Sequence, residues 1–438
     1  MNFLAKNSAT LDGEIRCPGD KSISQRIVMI SSLINSDMKI SGFLNGNDPI
    51  STANALIQVG AGIKISGTDV IIKKQDSIFK SSDQPIDLGN SGTGIRLLMG
   101  FLAGLNIKAI LTGDESLIKR PMRRVTDPLT QMGADISTTD IGTPPVELNS
   151  GNIINDFLYK MPISSAQVKS SILLAALTSK KKVTVIENKI TRDHTEKMID
   201  YFGGDIQVET YKNGRKIILN PSELQPRQDY NVAGDFSSAS FLIVAGLIAK
   251  SSNILIKNVG LNKSRSGLLN ILKEMGANIK IHNQQESCNE KIGDIEVSSS
   301  NLNGIEIGGT IIPNIIDEIP ILSIAAAAAN GKTIIKDAKE LRVKESDRLE
   351  AIAAGLGKLN VPFELYEDGI QISGVNELSP DDDEIDSYGD HRIAMSFLIS
   401  SLISKKDIRV KNCENIYTSF PNFFELMGDM GLKMERYG

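Results

Sequence analysis

A polar hinge followed by an apolar stretch returns six times along this chain, about every 70 residues, and this spacing restricts the fold to a repeated module. The hinges read PGDKSISQR from 18, LGNSGTGIR from 88, ISSAQVKSS from 163, GDFSSASF from 234, IDEIPILS from 316 and YGDHRIAMS from 388. With Asp20, Asn90, Ser164, Asp235, Asp317 and Asp390 as markers, the steps are 70, 74, 71, 82 and 73 residues. A glycine that ends a helix before a strand keeps step with them, at Gly60, Gly133, Gly203, Gly276, Gly357 and Gly431. Each repeat therefore holds two helices and the strands between them.

Asp, Asn and Ser at the hinges suit helix starts, because their side chains accept hydrogen bonds from the first free backbone N–H groups. The runs SSILLAALTS, FLIVAGLIA and ILSIAAAAA are apolar nearly all round, which predicts buried helices. KVTVIEN, NILIKNV and KTIIKDA are rich in β-branched residues and read as strands. A length of 438 residues exceeds what one core serves and predicts two domains of three repeats each.

At 41% hydrophobic residues the composition is that of a globular enzyme, and the apolar runs fall well short of the ~20 residues that span a bilayer. No membrane segment and no secretory leader are expected, and a cytoplasmic location follows. Three separated cysteines, Cys17, Cys288 and Cys413, fit a reducing compartment, and with three scattered histidines they give no metal-ligand pattern. A net charge of −5 gives no reason to expect nucleic acid.

The basic residues nonetheless gather in the motifs: Lys21 and Arg26 at the first hinge, Lys119, Arg120, Arg123 and Arg124 in TGDESLIKRPMRR, and Arg192 in TRDHTEKM. Arg342, Lys344 and Arg348 follow in LRVKESDRLEAI, and Arg392 in YGDHR. Singly, such residues are most often solvated surface charges. Lys344 and Arg348, however, stand four apart, where like charges on a helix cost about 0.2–0.5 kcal/mol unless an anion lies between them. Lys21 and Arg26 flank a helix N-terminus, which already favours negative charge. A small phosphorylated polyanion is the expected ligand.

Familiar nucleotide motifs do not account for this site. NGKT at 330–333 lacks the earlier P-loop glycine, since Ala326 stands there, and Gly331 reads as a helix terminator. LGNSGTGIR lacks dinucleotide spacing. Two carboxylates, Asp317 and Glu345, lie among the cations; one could be a helix cap and the other a local partner of Arg348. Together with an anion site they suggest proton transfer.

PGDKSISQR, LGNSGTGIRLLMG, the KRPM loop, SSAQVKS, RDHTEKM, RVKESDRL and GDHRIAMSF occur in one collinear order, and through them the whole chain resembles the 5-enolpyruvylshikimate-3-phosphate synthases. The resemblance implies an α/β fold of two similar domains, each with three βαβαββ units about a pseudo-threefold axis, helices inside and sheets outside. It places residues 20–233 in the first domain, and 1–19 with 234–438 in the second. The implied reaction moves the enolpyruvyl group of phosphoenolpyruvate to the 5-hydroxyl of shikimate 3-phosphate and releases phosphate, without metal or organic cofactor, in a monomer. Closure of the two halves on the substrates is expected with it.

Carried over position by position, Lys21, Asn90, Gly92, Arg120, Gln167, Lys344, Arg348 and Arg392 would hold phosphoenolpyruvate. Lys21, Ser22, Arg26, Ser165, Ala166, Gln167, Arg192, Asp317 and Lys344 would hold shikimate 3-phosphate. Asp317 would take the hydroxyl proton, Glu345 would move a proton at the methylene carbon, and Lys21, Lys344 and His391 would support the intermediate. The sequence departs from the common pattern at Ala166, where many members have serine, and at Thr418, where many have lysine. These features resemble a subgroup that includes glyphosate-tolerant enzymes, yet Gly92 leaves room beside phosphoenolpyruvate and predicts competition by glyphosate. The related UDP-N-acetylglucosamine transferases usually carry a cysteine in the TGDESLIKRPM loop, and none is there. A noncatalytic phosphoanion-binding protein is the alternative from another class.

Overall fold

The computed structural model describes residues 1–7, 10–74, 79–227, 229–380 and 384–438. The described chain forms two compact bodies. One comprises Gly19–Val232 with the short turn Ser287–Glu290; the other comprises Met1–Pro18, Ala233–Glu286 and Lys291–Gly438.

Each body contains three four-stranded sheets of a single topology. In the body containing Gly19–Val232, strand Phe157–Lys160 runs parallel to Val183–Glu187, which pairs antiparallel with Gly214–Leu219, which pairs antiparallel with Ile206–Tyr211. The same parallel, antiparallel, antiparallel order recurs around Met38–Ser41 and around Ala109–Thr112. In the other body it recurs around Lys332–Ile335 and Ile408–Lys411. There the strand Thr10–Arg16 lies parallel to Ser251–Gly260. The mixed α/β repeat expected from the sixfold spacing is thus present as six equivalent sheets.

Within each body the hinge helices are central and the sheets carry the solvent faces. Phe236–Ile248 and Ile319–Ala327 are buried throughout, and Ala166–Ser179 is buried from Val168 to Leu177. Their serines survive burial by donating back to the preceding turn, as Ser240 Oγ does to Ser237 O at 2.6 Å and Ser323 Oγ to Pro320 O at 2.6 Å. Outward sheet positions such as Ile71, Leu158 and Val208 remain exposed. Among the described residues no single helix is long and apolar enough to cross a membrane; the adjoining pair Gly309–Ile315 and Ile319–Ala327 is bent by 108°.

Three of the six markers cap their helices as expected. Asp20 accepts from Ile23 N, Asp235 from Ser237 N and Ser238 N, and Asp390 from Arg392 N. The other three do not. Ser91 rather than Asn90 caps Gly92–Gly104, while Ser165 and Glu318 occupy the cap positions after Ser164 and Asp317 without a side-chain cap bond. Asn90 and Asp317 instead meet cations, and Ser164 Oγ accepts from Lys189 N at 3.0 Å. Of the helix-ending glycines, Gly60, Gly133, Gly203, Gly276 and Gly431 have positive φ. Gly357 lies inside the helix Arg348–Lys358, and Asn360, with φ 54°, makes the left-handed turn.

One close approach positions chemistry directly. A Cβ on Gly100 would lie 2.0 Å from Ser171 O, and one on Gly104 would lie 2.3 Å from Ala175 O. Two glycines four apart therefore let Gly92–Gly104 rest backbone to backbone on Ala166–Ser179 and bring the N-terminal turns of both helices side by side.

Candidate active site

In the body containing Gly19–Val232, three hinge helices meet at their N-terminal turns and are laced together by side chains. Gln25 Nε2 donates to Ser91 Oγ at 2.6 Å, Arg96 Nη1 donates to Gln167 Oε1 at 2.8 Å, and Arg26 Nη2 donates to Ser170 Oγ at 2.9 Å. Three helix N-termini thus meet, each adding partial positive charge, and Arg26 and Arg96 bond across them. Lys21, the first residue of its helix, lies 3.0 Å from Asp48 Oδ2.

Asn90 orients a guanidinium: its Oδ1 accepts from Arg120 Nη2 at 2.7 Å while its Nδ2 donates to Asp114 at 2.7 Å. Gly92 opens the helix beside them, where an added Cβ would stand 2.8 Å from Arg120 Nη1. Gln167 is held from two sides, donating to Thr93 Oγ1 at 2.9 Å and accepting from Arg96. Ser165 and Ala166 form the adjoining start of Ala166–Ser179, both partly accessible. Arg26 is buried and donates to Ser22 O as well as to Ser170 and Thr195 Oγ1. Arg192 lies half-buried just before the helix His194–Tyr201.

Behind these residues lies a dry ionic cluster. Lys169 Nζ stands 3.0 Å from Glu187 Oε2 and 2.7 Å from Glu196 Oε1, with Lys169 and Glu187 0% exposed. Burial pulls the ammonium down, but Glu196 and Glu187 outweigh it and hold Lys169 above its ordinary value. Burial pushes the Glu196 carboxyl up despite Lys169, since one ammonium cannot serve two buried carboxylates equally.

In the other body, Arg348 is the centre. Its Nε lies 2.8 Å from Asp390 Oδ2, its Nη2 2.6 Å from Glu345 Oε2, and its Nη1 3.4 Å from Asp317 Oδ1. Burial opposes the charge, but Asp390, Glu345 and Asp317 together keep the guanidinium firmly protonated. Lys344 Nζ reaches the same Asp317 oxygen at 3.6 Å. Arg392 Nη1 donates to Asp317 O at 2.9 Å, and His391 opens the helix His391–Ile399, buried. The neighbouring Glu318 is buried and accepts from the Ser237 hydroxyl.

The expected helical pairing of Lys344 with Arg348 is corrected here. Lys344 ends the 3-10 turn Lys339–Val343 and the helix begins only at Arg348, because Asp347 caps it by accepting from Glu350 N. The negative charge between the two cations is Asp317, from a loop about thirty residues earlier. Glu345 does pair with Arg348, the local contact that its position allowed. Thr418 is buried and donates to Asn415 O at 2.7 Å.

Sequence reasoning missed several residues. Arg96 sits one turn after Gly92 on the same helix face, a spacing that could have revealed it. Asp48, Ser170, Thr195 and the partnership of Asp390 with Arg348 carry no local signal, because their partners are distant in the chain.

Comparison with known proteins agrees along the full length. The family model of EPSP synthase (3-phosphoshikimate 1-carboxyvinyltransferase) matches residues 5–427. The chain is 47% identical over 430 residues to a 3-phosphoshikimate 1-carboxyvinyltransferase of Petrotoga mobilis, covering 97% of this chain and 98% of that one. It is 44% identical over 441 residues to the protein of that name in Legionella pneumophila (strain Corby), covering both chains completely. Among solved structures it is similar to EPSP synthase from Acinetobacter baumannii, with TM-score 0.86, 39% identity and 99% coverage of each chain. The enolpyruvyl transferase NikO from Streptomyces tendae, at 15% identity and TM-score 0.79 over 99% of this chain and 98% of that one, shares the fold. With its six repeated sheets and the collinear cation motifs, this chain belongs to the EPSP synthase (3-phosphoshikimate 1-carboxyvinyltransferase) family.

Proposed function

We propose how the residues of this chain divide the labour of the family's reaction, in the shikimate pathway, on phosphoenolpyruvate and shikimate 3-phosphate. Phosphoenolpyruvate is held by Lys21, Asn90, Gly92, Arg120, Gln167, Lys344, Arg348 and Arg392. Shikimate 3-phosphate is held by Lys21, Ser22, Arg26, Ser165, Ala166, Gln167, Arg192, Asp317 and Lys344. Guanidinium forks suit the carboxylates and phosphates of both substrates. Residues 20–233 form one domain and 1–19 with 234–438 the other, a division supported by the two compact bodies.

The 5-hydroxyl oxygen adds to C2 of phosphoenolpyruvate as Asp317 accepts its proton and Glu345, in its protonated form, gives one to the methylene carbon. In the tetrahedral adduct the C2–phosphate oxygen bond then breaks, phosphate leaves, and the methyl carbon returns a proton to Glu345. Lys21, Lys344 and His391 support the negative charge that develops. The observation that carries this reading is Asp317, a carboxylate held between Lys344 Nζ at 3.6 Å and Arg348 Nη1 at 3.4 Å. Such a group combines proton acceptance with a cationic surround for acidic substrates.

Glyphosate competes with phosphoenolpyruvate, a reading supported by the missing side chain at Gly92, where a Cβ would press on Arg120 Nη1 at 2.8 Å. The protein works as a cytoplasmic monomer.

The test is phosphate release in the presence of both substrates. Wild type should turn over, and Asp317→Ala should lose about 10²–10⁴-fold in kcat while still binding shikimate 3-phosphate by calorimetry. Undiminished turnover in Asp317→Ala would reject the assignment, and no turnover in wild type would identify a binding protein.

A further inference from the structure

Lys169 lies in the SSAQVKSS motif, among residues assigned to substrate, yet its ammonium is sealed against Glu187 and Glu196 and is unavailable to a ligand. What it does hold in place is the backbone on either side of Arg26. Lys169 precedes Ser170 on one helix, and Glu196 follows Thr195 on another. The ion pair therefore ties together the two segments whose hydroxyls receive the guanidinium. Thr195 Oγ1 accepts from Arg26 Nε at 2.8 Å, Ser170 Oγ accepts from Nη2 at 2.9 Å, and Thr195 Oγ1 donates to Ser170 Oγ at 2.7 Å. Glu187 also accepts from Thr191 Oγ1 at 2.6 Å, which anchors the residue before Arg192.

We propose that Ser170 and Thr195, locked by the buried Lys169–Glu187–Glu196 cluster, are positioning residues that aim the Arg26 guanidinium at the shikimate ligand. Two hydroxyls orient the planar fork by its Nε and Nη2 edge, so its direction is set before the ligand arrives. Neither hydroxyl touches substrate in this scheme; both act through Arg26. The inference rests on the reading of Arg26 as a ligand of shikimate 3-phosphate.

The experiment is steady-state kinetics with each substrate varied in turn, on variants whose melting temperature is checked. Thr195→Val, nearly isosteric and lacking the hydroxyl, should raise KM for shikimate 3-phosphate about tenfold and change KM for phosphoenolpyruvate by less than about twofold. Thr195→Ser should restore the wild-type value. In an Arg26→Gln background, Thr195→Val should add nothing further, because the two residues act as one unit. Should Thr195→Val fail to fold, Ser170→Ala is read by the same criteria.

If Arg26→Gln leaves KM for shikimate 3-phosphate unchanged, the reading of Arg26 fails and this inference falls with it. If Arg26→Gln raises that KM but folded Thr195→Val and Ser170→Ala do not, or if they raise both KM values alike, positioning is overturned while Arg26 keeps its role.

Discussion

Arg348 Nε lies 2.8 Å from Asp390 Oδ2, with the two side chains 1% and 0% exposed. The pair joins the start of the helix Arg348–Lys358 to the start of His391–Ile399, and Asp390 also caps the latter. Removing one partner of such a pair strands the other charge without water. Asp390→Ala should cost about 3–5 kcal/mol by urea unfolding. Asp390→Asn, which keeps a capping oxygen, should cost less than Asp390→Ala. A loss below about 1 kcal/mol in Asp390→Ala would mean that Glu345 and Asp317 suffice for Arg348.

Gly92→Ala tests the space beside Arg120. The added methyl would stand 2.8 Å from Arg120 Nη1 and 3.4 Å from Arg96 Nη1, and both neighbours are ends of flexible side chains that move rather than break the fold. The expected result is unaltered melting, a KM for phosphoenolpyruvate raised about two- to tenfold, and glyphosate inhibition weakened by a larger factor. Equal glyphosate potency on wild type and variant would defeat the steric explanation.

Glu196 gives a pH signature. Burial raises its carboxyl above the ordinary 4.5, so its contribution to stability is present below that value and fades as pH rises through the raised one. Glu196→Gln stays uncharged at every pH. The stability of the variant relative to wild type should therefore increase as pH climbs above 4.5. A pH-independent difference, followed by urea unfolding across this range, would show that Lys169 compensates Glu196 fully.

The thiols should separate by burial. Cys413 donates to Val410 O at 3.3 Å, and burial pushes its thiol up to about 12; Cys17 is buried against Asp235 O. Cys288 is partly accessible. Titration of native protein with a thiol reagent at about pH 8 should give about one rapid equivalent, from Cys288, and all three in denaturant. Rapid modification of Cys413 in the native state would contradict its burial.

Much of the architecture was legible because it depends on local rules repeated six times. Apolar periodicity marked the buried helices, β-branched runs marked strands, and five of six glycines occur at the left-handed helix ends assigned to them. Asn90 and Asp317 have strong local readings as caps, and each is taken from that use by a partner far along the chain; Lys344 and Gly357 fail for local reasons, because Asp347 starts the helix only at Arg348 and Asn360 makes the turn that ends it.

By itself the sequence determined the repeat, the helix and strand types and the crowding of cations into motifs, since propensity, capping chemistry and hydrophobic period act within a few residues. The tertiary structure alone decided that Asp317 answers Lys344 and Arg348, that Asp390 meets Arg348, and that Lys169 is closed off with Glu187 and Glu196. A charged side chain finds its partner only after helix packing has brought distant segments together, and in a dry interior that choice is governed by which opposite charge lies within reach.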